Sequence, residues 1–179
     1  MYSRYEVISC FSPVFRVGVE IGKHVPCRSF RGSNNPVEII AGVATGGIAQ
    51  GALVAQELGL PFVYVRAEAK THGMENKIEG RVEPGKSVVI VEDLVSTGKS
   101  SLAAFDALQR AGCTIKGMVA IFSYNLDVAV KKFKEAKCNL ITLSDYNILI
   151  QEALESNYIN EEELRSLIKW RENPEKWGV

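Results

Sequence analysis

The 179-residue sequence has no charge of either sign to spare: 21 lysines and arginines cancel 21 aspartates and glutamates. It contains no basic run and no basic patch interleaved with aromatics, so the electrostatic footprint of a nucleic-acid binder is missing and no nucleic-acid partner is expected. No apolar stretch approaches the roughly 18 residues that would span a bilayer, and the start lacks a basic-then-apolar signal pattern. A soluble cytoplasmic protein with no membrane partner is the expectation. The four cysteines, Cys10, Cys27, Cys113 and Cys138, include no Cys-x-x-Cys pair, which removes the usual zinc and redox spacings and points to reduced thiols. Cys113 and Cys138 adjoin apolar strand patterns and are expected in or near the core. Internal repeats and low-complexity linkers are also lacking. What is present is 46% apolar residues, enough for one substantial core and short for two, hence a single domain.

From Val37 onward, buried-strand and helix patterns alternate with short turns, which predicts a mainly parallel sheet flanked by helices on both faces. Strands are expected at Val37–Thr45, Pro61–Arg66, Val88–Val91, Ile115–Phe122 and Leu140–Leu143. Helices are expected at Ile48–Leu58, Ser100–Ala111, Leu126–Ala136, Tyr146–Leu154 and Glu161–Trp170. Between Ala67 and Gly80 the pattern lapses into polar, mixed-charge sequence, either a mobile loop or a hairpin tip. Residues 1–36 mix prolines, glycines and Asn34-Asn35 with no sustained period, so no element is assigned there.

The most informative stretch is Val88-Val89-Ile90-Val91-Glu92-Asp93-Leu94-Val95-Ser96-Thr97-Gly98-Lys99-Ser100. An apolar strand delivers Glu92 and Asp93 to its C-terminal edge, where carboxylates can accept hydrogen bonds from sugar hydroxyls. The small-residue turn that follows opens a helix and points backbone N–H groups at an anion. A sugar phosphate satisfies both halves. A Walker A loop is excluded, because the residue five before Gly98 is Asp93 and not glycine.

This stretch resembles the phosphoribosyl-pyrophosphate (PRPP) motif of the type I phosphoribosyltransferases. Three further segments extend the resemblance. Ile39-Ile40-Ala41-Gly42-Val43-Ala44-Thr45-Gly46-Gly47-Ile48 is similar to the loop that holds the pyrophosphate of PRPP, although Gly46-Gly47 reads equally as a plain tight turn. Arg66-Ala67-Glu68-Ala69-Lys70-Thr71-His72-Gly73 resembles the flexible catalytic loop of orotate phosphoribosyltransferases, and the tail from Thr142 to Trp177 is similar to that of the bacterial enzymes. The resemblance covers about four-fifths of the chain, Val37 to Trp177, and within the family it points to the orotate branch.

The resemblance implies the type I phosphoribosyltransferase fold and a Mg²⁺-dependent transfer of ribose 5-phosphate from PRPP to orotate, giving orotidine 5′-monophosphate and pyrophosphate. It implies Lys70, His72 and Asp93 as catalytic residues. Thr45, Gly46, Gly47, Arg66, Lys70, His72, Glu92, Asp93 and the Leu94-Val95-Ser96-Thr97-Gly98-Lys99-Ser100 loop would hold PRPP. Mg²⁺ would be held through PRPP, with Glu92 and Asp93 as further candidate ligands. Ser96 matches a position near orotate, where a hydroxyl is equally good turn chemistry; Lys99 reads as exposed and optional. A homodimer with a shared active site is implied, Lys70 and His72 reaching the partner's pyrophosphate. Two departures stand out: residues 1–36 match no Ser-Pro-Tyr-type hood over the base, and Ala67 stands where some members carry lysine. Residues 1–36 are therefore read as an atypical hood remnant and 37–179 as the phosphoribosyltransferase domain. The alternatives are a phosphoribosyltransferase for another base and a catalytically impaired PRPP-binding regulator.

Overall fold

The computed structural model describes residues 36–66 and 77–174. Lys70, His72, Ala67, Cys10, Cys27 and the end of the tail lie outside the described residues, as does the whole of the 1–36 segment except Pro36. The elements run β1 (Ile39–Val43), α1 (Gly47–Leu58), β2 (Phe62–Val65), β3 (Ile78–Glu79), β4 (Ser87–Val95), α2 (Lys99–Arg110), β5 (Thr114–Ser123), α3 (Asp127–Glu135), β6 (Leu140–Asp145), α4 (Tyr146–Glu155) and α5 (Glu161–Glu172). They form one six-stranded sheet in the order β3-β2-β1-β4-β5-β6. Five strands are parallel, and β3 pairs antiparallel with β2, Tyr64 opposite Glu79 and Val65 opposite Ile78. The short β3 thus closes one edge of the sheet beside β2.

Strand periodicity sorts the core into two layers. Ile39, Ala41, Val88, Ile90, Met118 and Ala120 face α2 and α3 and pack with Ala104, Phe105, Leu108, Ala129 and Phe133. Ile40, Val89, Val91 and Val119 face the other way, onto Val54 and Ala55 of α1. Both described cysteines join the first layer, and burial pushes the Cys138 thiol up to about 11. Among the described residues no helix is long and apolar enough to cross a membrane.

One strand differs from expectation in a way that matters. The apolar run ends at Val91, yet β4 continues to Val95, because Glu92, Leu94 and Val95 stay paired with Ala120, Phe122 and Ser123 of β5. The acidic pair is thus embedded in the last residues of a central strand. The connections after β1 and β4 also diverge: β1 leads through α1 to β2 on one side, and β4 through α2 to β5 on the other. Such divergence opens a crevice beyond the carboxyl ends of β1 and β4, the usual binding place in open α/β sheets.

Candidate functional site at the β1 and β4 strand ends

Consecutive strand residues point to opposite faces, so the acidic pair divides. Glu92 turns towards α2, where Ser101 Oγ donates to its Oε2 at 2.9 Å. Its Oε1 accepts the backbone N–H of Asp93 at 3.2 Å, and the residue is only 3% exposed. Burial, followed by the neighbouring Asp93 carboxyl group, pushes Glu92 up to about 8. Glu92 accordingly holds its proton to higher pH than an ordinary carboxyl group. Asp93 is half-buried and turns towards α1, so close to Gly46 that a Cβ there would stand 1.9 Å from its Oδ2. Gly47 is equally tight, its Cβ position lying 2.5 Å from the Val91 carbonyl oxygen. The two glycines let the β1–α1 loop lie against the end of β4, a close approach that side chains would prevent.

Both helices that start here begin without a side-chain cap. The N-cap of α1 is Gly46 and that of α2 is Gly98, and neither first turn contains an acidic residue. The Ile48 N–H turns back to the Thr45 carbonyl oxygen at 3.2 Å; the other leading N–H groups, with the positive ends of the helix dipoles, suit an anion. Gly98 adopts the left-handed conformation at φ +73° and presses on Phe133, whose ring lies 2.9 Å from a Cβ placed there. Between Asp93 and α2, Leu94 and Thr97 are exposed while Val95 is buried. Ser96 Oγ accepts the Thr97 N–H at 2.6 Å, which is the turn role, and the hydroxyl proton remains available to a ligand. Lys99 and Ser100 are exposed, as is Thr45 on the facing loop.

Arg66 follows β2, and its Nη1 lies 3.3 Å from Glu79 Oε1. Among the described residues no group of three His, Cys, Asp or Glu could hold a metal ion by itself. Asp93 can still supply one oxygen to a hard cation whose other ligands come from a phosphate and water. The site thus offers one open carboxylate, two uncapped helix N-termini and glycine-lined space between them, which suits a ligand with hydroxyls flanked by phosphates.

Sequence reasoning missed two groups. Ser101 carried a signal, a hydroxyl in helical register with Ala104, Phe105 and Leu108 on the apolar face of α2. The tail carried none for its partners: Trp170 and Tyr146 gather around Tyr124 with ring centroids 5.2–5.8 Å apart, and Arg171 Nη1 donates to the Asn125 carbonyl oxygen at 3.2 Å. Because the Tyr124 N–H donates to the Val95 carbonyl oxygen at 3.1 Å, this packing braces the strand end beside the Ser96 loop.

Residues 28–157 match the family described as "Phosphoribosyl transferase domain", and the chain belongs to that family. The orotate phosphoribosyltransferase of Phocaeicola vulgatus is 57% identical over 141 residues, 79% of this chain and 66% of that protein. That of Porphyromonas gingivalis is 52% identical over 143 residues, 80% of this chain and 68% of the relative. Within the family the chain therefore stands with the orotate phosphoribosyltransferases, and it spans about two thirds of the length of these relatives. The crystal structure of orotate phosphoribosyltransferase from Aeropyrum pernix superposes with a TM-score of 0.65 at 25% identity, covering 85% of this chain and 78% of that one. Leishmania donovani UMP synthase shares the fold, with a TM-score of 0.66 at 21% identity over 88% of this chain and 32% of its own. The expected fold, a mainly parallel sheet flanked by helices, is the observed one.

Proposed function

We propose that this chain transfers ribose 5-phosphate from PRPP to orotate, giving orotidine 5′-monophosphate and pyrophosphate for pyrimidine synthesis. One observation carries the reading: the Asp93 carboxylate stands against Gly46 at the start of α1, and neither that helix nor α2, which follows Asp93 in the chain, has a side-chain cap. PRPP has groups to match, a diol between two phosphate groups. Asp93 accepts hydrogen bonds from the ribose hydroxyls, while Glu92 stays turned inwards. The Leu94–Ser100 turn and the first N–H groups of α2 take the 5′-phosphate, and Thr45, Gly46 and Gly47 with the start of α1 take the pyrophosphate.

In the reaction, N1 of orotate bonds to C1 of PRPP as the C1–oxygen bond to pyrophosphate breaks, its electron pair leaving with the pyrophosphate, which takes up the N1 proton. The transition state has oxocarbenium character, so charge must be stabilised on the leaving group and water excluded. Arg66, Lys70 and His72 supply that charge; Arg66 exchanges Glu79 for the phosphate, and His72 is the member of the three that titrates near neutrality. The Ser96 hydroxyl donates to the base. Asp93, together with substrate oxygens, would hold Mg²⁺, which would supply neutralisation of phosphate charge. Residues 37–179 make up the phosphoribosyltransferase domain in this reading, and 1–36 an atypical hood remnant. A cytoplasmic homodimer completes the reading, with Lys70 and His72 serving the partner's pyrophosphate.

Pyrophosphate release from PRPP and Mg²⁺ tests the proposal, with orotate compared against uracil, hypoxanthine and adenine. Release with orotate alone is expected; faster release with another base gives the chain a different substrate, and none with any base leaves a PRPP-binding regulator. Asp93→Asn should lower kcat/KM by about 1.5–3 kcal/mol, the worth of charge-assisted hydrogen bonds, without unfolding the chain. Mixing Lys70→Ala with Asp93→Asn subunits should restore about a quarter of wild-type activity if sites are shared across a two-fold dimer. No recovery despite subunit exchange assigns the cations to their own subunit.

A further inference from the structure

Ser101 lies on the first turn of α2 and is 1% exposed. A hydroxyl among core side chains is costly unless it hydrogen-bonds. Here it donates to Glu92 Oε2 at 2.9 Å, and the other Glu92 oxygen accepts the Asp93 N–H at 3.2 Å. An unbroken chain of contacts therefore runs from the first turn of α2, through a buried carboxyl group, to the backbone of the residue that presents the open carboxylate. No side chain caps that turn, whose N-cap is the buried Gly98 packed on Phe133.

We infer that Ser101 is a positioning residue for sugar-phosphate binding: through Glu92 its hydroxyl sets the separation between the N–H groups at the start of α2 and the Asp93 carboxylate. The inference rests on the reading of the site proposed above. A ligand gripped at both places, by its 5′-phosphate and its ribose hydroxyls, feels any change in that separation. A ligand gripped only by the β1–α1 loop does not. Ser101 touches neither, so its effect belongs to binding of the two-point ligand and appears in KM for PRPP before it appears in kcat.

The test compares Ser101→Thr with Ser101→Val, two side chains of nearly equal size that differ in the hydroxyl. Calorimetry with ribose 5-phosphate should give the Val variant about tenfold weaker affinity than the Thr variant, the worth of one hydrogen bond. Pyrophosphate affinity should agree between the two within about twofold, and the PRPP KM of the Val variant should rise about tenfold with kcat kept within about threefold. Equal ribose 5-phosphate affinities in Thr and Val, or equal loss for both ligands, overturn the role of Ser101 while leaving the proposed activity standing. A wild-type chain that binds neither PRPP nor ribose 5-phosphate overturns the functional reading as well. If the branched side chains prevent folding, Ser101→Ala against wild type reads the same ratio: selective loss of ribose 5-phosphate supports the inference, parallel loss ends it.

Discussion

Two pairs of helices among the described residues begin in opposite ways. At α4 the Asp145 carboxylate accepts the N–H groups of Asn147 and Ile148 at 2.9 and 3.1 Å. At α5, Asn160 and Glu163 form a reciprocal capping box, and Glu161, Glu162 and Glu163 fill the first turn with negative charge. At α1 and α2 the capping residues are Gly46 and Gly98, with no side-chain cap and no acid in the first turn. Every helix start leaves the same orphan N–H groups, and a side-chain cap is worth about 1 kcal/mol. The starts of α4 and α5 satisfy these donors with side chains; those of α1 and α2 forgo that stability. The missing cap alone is not the mark, since α3 follows Leu126 without one but carries Asp127 in its first turn. What distinguishes α1 and α2 is glycine at the N-cap, with Asp93 against the first of them.

The largest expected effect concerns the acid beneath α2, which would spoil the contrast if it were charged. Burial and Asp93 raise Glu92 from 4.5 to about 8 in the folded chain. The folded state thus keeps a proton that the unfolded state releases above pH 4.5. Its stabilising contribution is whole below that pH and is lost as pH rises towards 8, a loss on the order of 5 kcal/mol at most. Urea unfolding of the ligand-free protein between about pH 5 and pH 9 should show this decline in wild type and not in Glu92→Gln. An identical slope in both would mean that Glu92 is already ionised and that α2 starts over a negative charge, as α5 does.

Gly46→Ala comes next. Its Cβ would stand 1.9 Å from Asp93 Oδ2, so the β1–α1 loop and the carboxylate cannot both keep their places. We expect kcat/KM to fall at least about a hundredfold, close to 3 kcal/mol, with a smaller change in unfolding temperature because the loop is exposed. Unchanged kinetics would separate the glycine loop from the site.

Asn160→Ala tests the other side of the comparison. Denaturant unfolding should show a loss of about 1 kcal/mol, and kcat/KM should not move, because the cap at α5 serves the helix alone. The smallest effect belongs to Lys99→Ala, an exposed cation at the open start of α2, whose PRPP KM should change less than about threefold because surface charges are solvated and screened. A larger change would mean that the side chain, and not the uncapped backbone, holds the phosphate.

The order of strands and helices was legible because binary pattern and turn residues dominate it, and the 13-residue run from Val88 to Ser100 marked where chemistry should sit. Its strand boundary was not. Apolarity stops at Val91, but β5 supplies backbone partners as far as Val95, and pairing between segments so far apart in sequence leaves no local signal. From that one boundary follows the division of the acidic pair: residues beyond a strand end can share a face, whereas consecutive residues within a strand cannot. The same limit hid β3, two residues long and defined by its pairing with β2.

The sequence by itself determined the class of fold, the glycines that admit a close ligand and the residue types from which the site is made, because each follows from local conformation or from periodic burial. Tertiary structure decided which carboxyl group faces outwards and which holds its proton to higher pH, because burial against α2 and the approach of Gly46 are contacts between distant segments, and a carboxyl group's charge depends on the dielectric and the neighbours that such contacts create.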